Sequence, residues 1–284
     1  MQLGWANNLP IPKLNFFNLG DFNAMAFIPD ELILEILAYL DVHSLRNFGY
    51  TSKASFAFHS HEDLWKQLFL LQTHRTVNWR GTWRRTVLSL SYEQEARIHN
   101  DIVSEALVQP YLNATIDLSR YYRIKDTIPR FKGMTKEEFA NWYDRPFILT
   151  DVVGEWPAFK KWSIEYLLRQ FPSNEATFEI EAVEWSFPTY VEYMNSNRDE
   201  SPLYLFDKGF ANKRTSSGVK LEEDYWIPET FKEDLFTLLG EARPDHRWLI
   251  VGPQRSGSTF HKVRLFLFLF EDPLSLDNLL LGLS

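Results

Sequence analysis

The sequence contains no cysteine among its 284 residues. This absence excludes disulfide bonds, thiolate zinc sites and cysteine nucleophiles, and it fits a reducing compartment. Long apolar runs are also missing: the longest, residues 265–270, is far shorter than a membrane-spanning helix. Residues 1–20 lack the basic stretch and continuous apolar core of a secretory signal. We therefore expect an intracellular protein, in the nucleus or the cytoplasm, without membrane contact.

Positive charge is scarce as well. Thirty Lys and Arg stand against 38 Asp and Glu, which gives a net charge of −8. A general nucleic-acid binder needs the opposite balance to neutralise phosphates, so this class of partner is not expected. One basic stretch, residues 74–85, carries four arginines beside Trp79 and Trp83. We interpret it as a solvated helix face with stacked tryptophans.

Apolar residues are plentiful, at 45% of the chain, and aromatic residues alone make up 16%. A buried core is therefore expected in each folded part. Patterning predicts an irregular arm (1–24), a helical module (25–72), a helical linker (73–115), a β-rich domain (116–263) and an apolar tail (264–284). Within the linker, helical patterning through Glu93–Leu107 is expected to break at Pro110.

The helical module begins at Pro29, which suits the first turn of a helix. Five apolar residues then follow at helical spacing and form one stripe: Leu32, Ile33, Ile36, Leu37 and Leu40. Ser44 is predicted to cap a second short helix, and a third is predicted from about Glu62. Three helices this short cannot bury all their apolar side chains among themselves. Part of this surface is therefore expected to meet a partner.

The order and spacing of these residues resemble an F-box. The matching positions are Ile28-Pro29-Asp30-Glu31-Leu32, Glu35-Ile36-Leu37, Tyr39-Leu40, Leu45, Ser52-Lys53 and Leu64-Trp65-Lys66. The resemblance implies docking on the small adaptor subunit of a cullin–RING ubiquitin ligase, while the rest of the chain holds a protein client. The adaptor-binding residues that it implies are Ile28, Pro29, Leu32, Ile36, Leu37, Leu40 and Leu45. The alternative is an unrelated three-helix bundle.

The region from residue 116 alternates short apolar runs with Pro, Gly and Asp, which is typical of a β-rich domain. Strands are predicted in Arg145–Val152 and Arg247–Gly252, and helices in Trp162–Phe171 and Phe187–Met194. Charged residues such as those at positions 207 and 224 are interpreted as solvated charges in turns.

Five segments of this region, in order, resemble the N-terminal half of a Jumonji C domain. They lie at 128–139, 145–150, 155–162, 199–207 and 248–261. The resemblance is to the hydroxylase and arginine-demethylase-like branch of these Fe(II)/2-oxoglutarate oxygenases, whose fold is a double-stranded β-helix. The predicted fold class is therefore α+β: a three-helix F-box, a helical linker and an incomplete double-stranded β-helix with helical insertions.

The iron site that the resemblance implies is incomplete in this sequence. His261 matches the first ligand, but Val263 stands where the family has a carboxylate, and no histidine follows His261. Ser258 matches a position that helps to hold 2-oxoglutarate. We therefore interpret His261 as a vestigial ligand and expect no bound cofactor and no oxygenase activity from this chain.

The tail, Arg264–Ser284, does not resemble the family, and two explanations stay open: read-through of an unspliced intron or a genuine truncated isoform. The strand at Trp248–Val251 is then expected to present an unpaired edge, with residues 265–270 as a makeshift cover.

Three functions compete: an F-box adaptor, an oxygenase if the intact gene product completes the domain, and an unstable fragment of that enzyme.

Overall fold

The computed structural model describes residues 28–71, 77–95, 104–117, 128–142, 145–242 and 247–257, and the backbone of two further strands at 267–268 and 279–283. The predicted arm, residues 1–24, lies outside this part. Helices and an antiparallel sheet share the described chain, so the predicted α+β class is confirmed. Within these ranges, no helix is long and apolar enough to cross a membrane.

The N-terminal module contains four short helices rather than the predicted three. They are α1 (Asp30–Leu37), α2 (Val42–Gly49), α3 (Lys53–His59) and α4 (Glu62–Leu70). The prediction omitted α3, whose buried positions include the small residues Ala54 and Ala57 and therefore carry a weak apolar signal. The N-cap of α2 is Asp41, which accepts a hydrogen bond from the backbone N–H of Ser44, and not Ser44 itself.

Two helices lie in the described part of the predicted linker, residues 77–95 and 104–115: α5 (Trp83–Leu88) and α6 (Glu105–Thr115). The predicted break at Pro110 is wrong, because α6 continues through it. Its C-terminal end is held from outside the helix, since Nη1 of Arg255 donates to the carbonyl oxygen of Asn113 at 2.7 Å. The predicted solvated basic face is also wrong: Trp79, Trp83 and Arg84 are all buried.

The second region contains the remaining helices: α7 (Lys136–Ala140), α8 (Pro157–Lys161), α9 (Ile164–Gln170) and α10 (Phe187–Ser196). Single 3-10 turns lie at Val153–Glu155, Phe210–Asn212, Leu221–Asp224 and Glu229–Phe231. Leu235–Ala242 contains two further 3-10 pieces separated by a kink at Gly240. The predicted helices in Trp162–Phe171 and Phe187–Met194 are confirmed.

The strands of the described residues form two sheets. They are β1 (Arg130–Phe131), β2 (Ile148–Leu149), β3 (Thr177–Ile180), β4 (Val183–Ser186), β5 (Leu205–Asp207), β6 (Arg247–Val251), β7 (Leu267–Phe268) and β8 (Leu279–Leu283). β1 and β2 are parallel, whereas the other six form an antiparallel sheet in the order β4-β3-β5-β6-β8-β7. The predicted strand at Arg145–Val152 is therefore reduced to two residues, and that at Arg247–Gly252 is confirmed.

The outer edge of β6 is paired, contrary to expectation. Its partner is β8, with Trp248 opposite Gly282 and Val251 opposite Leu279. Of the expected cover, residues 265–270, the structure describes 267–268, which form β7 and pair with β8 rather than with β6. The edge is covered because an open row of backbone N–H and C=O groups favours any strand that can reach it.

One aromatic core joins the N-terminal module to the second region. The ring of Trp83 lies 5.3 Å from that of Phe69 in α4 and 5.6 Å from that of Tyr193 in α10, measured between centroids. Trp79 lies 4.9 Å from Trp83 and 5.0 Å from Tyr193. The two contacts of Trp83 are tilted and the two of Trp79 are edge-to-face, and such ring contacts add to the free energy gained by burying the rings. The linker is therefore a packed layer between the two regions.

Candidate functional site

The outer face of α1 carries an exposed apolar stripe. Leu32 is 47% exposed, Ile36 48% and Tyr39, just beyond the helix, 86%. These residues are spaced by four and three positions, so they lie on one face. The adjoining face carries Ile33 and Leu37, which are buried in the module. Large apolar side chains gathered on one exposed face are typical of an interaction surface.

The seven predicted adaptor-binding residues do not all lie on this face. Leu32, Ile36 and Pro29 are exposed, and Ile28 and Leu40 are half-buried against the core. Leu37 and Leu45 are 2% and 0% exposed. These two stabilise the module by packing, so their predicted contact with a partner does not agree with the geometry. Leu37 belongs to the five-residue apolar stripe predicted from the sequence, but it lies one helical turn after Ile33 and is buried on the same side of α1.

A buried carboxylate connects the N-terminal module to the second region. Asp199 accepts hydrogen bonds from Nε1 of Trp83 at 2.9 Å and from the hydroxyl of Tyr193 at 2.7 Å. Its Oδ2 also lies 3.1 Å from Nζ of Lys66 in α4. The negative charge of Asp199 is therefore paired with Lys66, and its oxygens accept hydrogen bonds from two buried side chains. The three partners lie on three different helices. Asp199 was predicted only as part of a family segment, since no local pattern indicates its partners.

A cavity of about 520 Å³ opens beside this junction. Its lining comprises Ser60, Glu62, Trp79, Gly81, Thr82, Trp83, Arg84, Tyr92, Glu93, Glu95, Arg198 and Asp199. Glu62 accepts a hydrogen bond from the backbone N–H of Trp83 at 2.5 Å. Burial, reinforced by the charges of Asp199 and Glu95, raises the pKa of Glu62 to about 7, against the opposing effects of that hydrogen bond and Arg84. No local sequence pattern indicates this cavity, because its lining comes from segments that are far apart along the chain.

Buried polar groups organise the sheet of the second region. The Tyr190 hydroxyl donates to the carbonyl oxygen of Val251 at 2.7 Å and accepts from the backbone N–H of Leu205 at 3.0 Å. It thereby ties α10 to both β5 and β6. Burial raises the pKa of this hydroxyl well above its usual range, so it stays protonated.

Two aspartates that were predicted as solvated charges are buried instead. Asp207 accepts from the backbone N–H of Glu179 at 2.9 Å and pairs with Nζ of Lys213 at 3.1 Å. Asp224 pairs with Nζ of Lys161 at 2.6 Å and accepts from an indole N–H at 3.0 Å. The prediction is wrong because three of these four partners lie 28 to 63 residues away in sequence.

The residues predicted for iron and 2-oxoglutarate, His261 and Ser258, lie outside the described part of the chain, as does Val263. In the part that is described, no three His, Asp or Glu side chains are grouped so that they could hold a metal ion. The donor set of the sequence itself does not fit Fe(II): Val263 offers no lone pair two positions after His261. A facial triad requires two histidines and a carboxylate. We therefore derive no metal-dependent step for these residues.

Comparison with known families identifies the N-terminal module. Residues 25–71 match the F-box-like family. This range contains α1 to α4 and the exposed stripe. The predicted F-box resemblance is therefore confirmed.

Comparison with characterised proteins covers most of the chain. The chain is 32% identical over 265 residues to the arginine-specific demethylase JMJ22 of Arabidopsis thaliana, and the match covers 87% of this chain and 51% of the relative. It is 30% identical to the lysine-specific demethylase JMJ21 of the same plant, covering 84% of this chain and 26% of the relative. It is 38% identical to the bifunctional arginine demethylase and lysyl-hydroxylase psr-1 of Caenorhabditis briggsae, over 49% of this chain and 37% of the relative.

The chain thus spans about half or less of the length of these relatives. The predicted Jumonji C resemblance is confirmed by them, and the antiparallel sheet of the second region is consistent with it. The chain carries an F-box-like domain, and most of its length is homologous to Jumonji C demethylases and hydroxylases.

Proposed function

We propose that this chain is a substrate-adaptor subunit of a cullin–RING ubiquitin ligase, which docks through α1 and presents a protein client on its second region. The observation that carries the proposal is the exposed stripe of Leu32, Ile36 and Tyr39 within residues that match an F-box-like family. Burial against a partner stabilises the complex by up to roughly 1.5–3 kcal/mol for each aliphatic side chain, Leu32 and Ile36, and burial of Tyr39 adds to this.

The junction between the two regions supports the same proposal. An adaptor has to hold its client at a defined place relative to the ligase, which requires a rigid connection. Asp199 and the aromatic rings around Trp83 supply one, because α4, α5 and α10 share a single buried core. A flexible tether would leave these polar and aromatic groups exposed.

A binding experiment with the full chain and the purified adaptor subunit tests this proposal. Leu32→Asp and Ile36→Asp place a charge in the stripe and are expected to abolish detectable binding, because an unpaired charge in a desolvated interface costs several kcal/mol. Leu112→Asp is the matched control, since Leu112 is also an exposed leucine but lies on α6. Equal recovery of the adaptor with all three variants would contradict the proposal.

A second candidate function is suggested by the relatives, whose names describe demethylases and a lysyl-hydroxylase. An Fe(II)/2-oxoglutarate-dependent hydroxylase or demethylase is the alternative if the intact gene product completes the site. For these 284 residues we propose that no such turnover occurs, because Val263 occupies a ligand position. Succinate formation from 2-oxoglutarate above that of a His261→Ala variant, with iron and ascorbate supplied, would overturn this proposal.

A further inference from the structure

The second region carries an exposed apolar surface of its own, on the segment Leu235–Ala242. Phe236 is 50% exposed, Leu238 92% and Leu239 49%. Large apolar side chains gathered in one exposed place are typical of an interaction surface. We propose that these three side chains, the 236–239 surface, dock a short segment of a protein partner that carries lysine or arginine beside its apolar residues. Only the identification of this partner as the client rests on the proposed adaptor function.

The backbone below this surface is held by local hydrogen bonds. The N–H of Phe236 donates to Oδ1 of Asp234 at 3.0 Å, and the hydroxyl of Thr237 donates to the carbonyl oxygen of Asp234 at 2.8 Å. The turn before it packs on α7, where the rings of Phe231 and Phe139 meet edge-to-face with their centroids 4.9 Å apart. The exposed apolar side chains therefore belong to an anchored segment.

The size of the surface fits a short segment rather than a folded subunit. Three side chains of this kind offer on the order of 300 Å² of apolar area, whereas a standard interface between folded proteins buries about 800 Å² on each partner. The matching partner is therefore a short stretch of chain with a few apolar residues.

The charge around the surface decides the chemistry of that stretch. Residues 226–246 contain five carboxylates and two cationic side chains, so their net charge is −3 with histidine neutral. Residues 128–151, which include α7, contain four side chains of each sign and leave this excess unchanged. Lysine or arginine in the partner would be attracted to this negative charge.

Pairing within the segment leaves the excess in place. Glu229 is neutralised by Lys232 and by Nζ of Lys136 at 3.7 Å. Glu233 and Glu241 precede and follow the surface along the chain, and both are exposed. Within the described residues, neither of these two forms an ion pair at 4 Å or less. They are therefore free to face the cations of a bound partner.

The same charge disfavours two other occupants. A second copy of the chain would bring two segments of like charge together, and an anionic lipid surface would repel the segment. A basic partner is the occupant for which apolar contact and charge act in the same direction.

Fluorescence anisotropy of the full chain with three labelled peptides tests the proposal. The peptides share one length and pattern and differ in composition: leucine with lysine, serine with lysine, and leucine with glutamate. The leucine–lysine peptide is expected to bind at least about tenfold more tightly than the others, because only this peptide combines apolar contact with opposite charge. Equal affinity for this peptide and for either of the others would overturn the proposal.

Variants of exposed side chains locate the site. Leu238→Ser and Leu239→Ser are expected to weaken binding of the leucine–lysine peptide about tenfold, and Glu241→Gln about two- to threefold. The matched controls, Leu112→Ser and Glu105→Gln, replace exposed residues of α6 and are expected to change nothing. Unchanged affinity in both leucine variants, or an equal loss in the controls, would refute this location.

Two further measurements separate this surface from the α1 stripe and from self-association. Leu238→Ser is expected to keep adaptor binding, and Leu32→Asp is expected to keep peptide binding, so failure of the adaptor proposal would leave the peptide result intact. Sedimentation velocity compares the wild type with Leu238→Ser. A wild-type dimer that this variant dissociates would show that a second copy occupies the surface, and the proposal would be overturned.

Discussion

Nε1 of Trp83 donates a hydrogen bond to Oδ1 of Asp199 at 2.9 Å, across 116 residues of sequence. The bond is buried, and it joins the layer that follows the F-box-like helices to the loop that precedes β5. Lys66 and Tyr193 contact the same carboxylate. The N-terminal module and the second region are therefore expected to unfold together.

Replacing this carboxylate should destabilise both regions. Asp199→Ala leaves a lysine, an indole and a hydroxyl without their buried partner, and it is expected to lower the free energy of unfolding by about 3–5 kcal/mol. Urea unfolding followed by tryptophan fluorescence and by circular dichroism measures this change. Glu200→Ala, at the exposed neighbouring position, should cost no more than about 1 kcal/mol. Two separate transitions in the wild-type chain would contradict the shared core.

Glu62 should make stability depend on pH. Its pKa is about 7 in the folded chain against 4.5 for an ordinary glutamate, so folding favours the protonated form. Stability from this group is fully present below pH 4.5 and is lost as the pH rises to about 7, by up to about 3 kcal/mol.

Glu62→Gln is the variant that isolates this effect. It should match the wild type near pH 4.5 and be more stable at pH 8. The comparison with the variant is needed because burial lowers the pKa of His59 to about 4, which destabilises the fold in the opposite direction, as the pH falls from 6.5. Identical pH profiles for the two chains would show that Glu62 ionises normally.

Gly49, the last residue of α2, lies against the buried ring of His59. A Cβ atom at this position would lie 2.6 to 2.7 Å from three ring atoms. Gly49→Ala is therefore expected to lower the free energy of unfolding by about 1–3 kcal/mol through overpacking. Gly209→Ala is the matched control, since its nearest contacts would be at 3.6 Å and 3.8 Å. Thermal melting of both variants measures the difference, and equal melting temperatures would contradict the expected clash.

The Tyr190 hydroxyl should contribute to the sheet. Tyr190→Phe leaves the buried N–H of Leu205 without its acceptor and the carbonyl oxygen of Val251 without that donor. The expected loss in the free energy of unfolding is about 1–3 kcal/mol. Tyr111→Phe removes an exposed hydroxyl and should be neutral. Amide exchange at Leu205 should accelerate in the first variant, and an unchanged rate would argue against this role.

Local patterns predicted the elements whose cause is local. Pro29 and the acidic residues after it start α1 where expected, and the apolar run at Arg247–Val251 forms a strand. The errors come from weak local signals. The alanines of α3 lack a strong apolar stripe, and Pro110 remains inside a helix whose end is held by Arg255.

The sequence by itself determined the F-box-like module and the homology of most of the chain, because both depend on residue type and spacing along the chain. Tertiary structure alone decided which side of α1 is exposed, so that Leu32 faces solvent and Leu37 does not. It also decided the burial of Arg84 and Asp199, whose charges are matched by groups that no local pattern connects. A buried charge is stable only where distant elements bring its partners together, and that is a property of the folded chain.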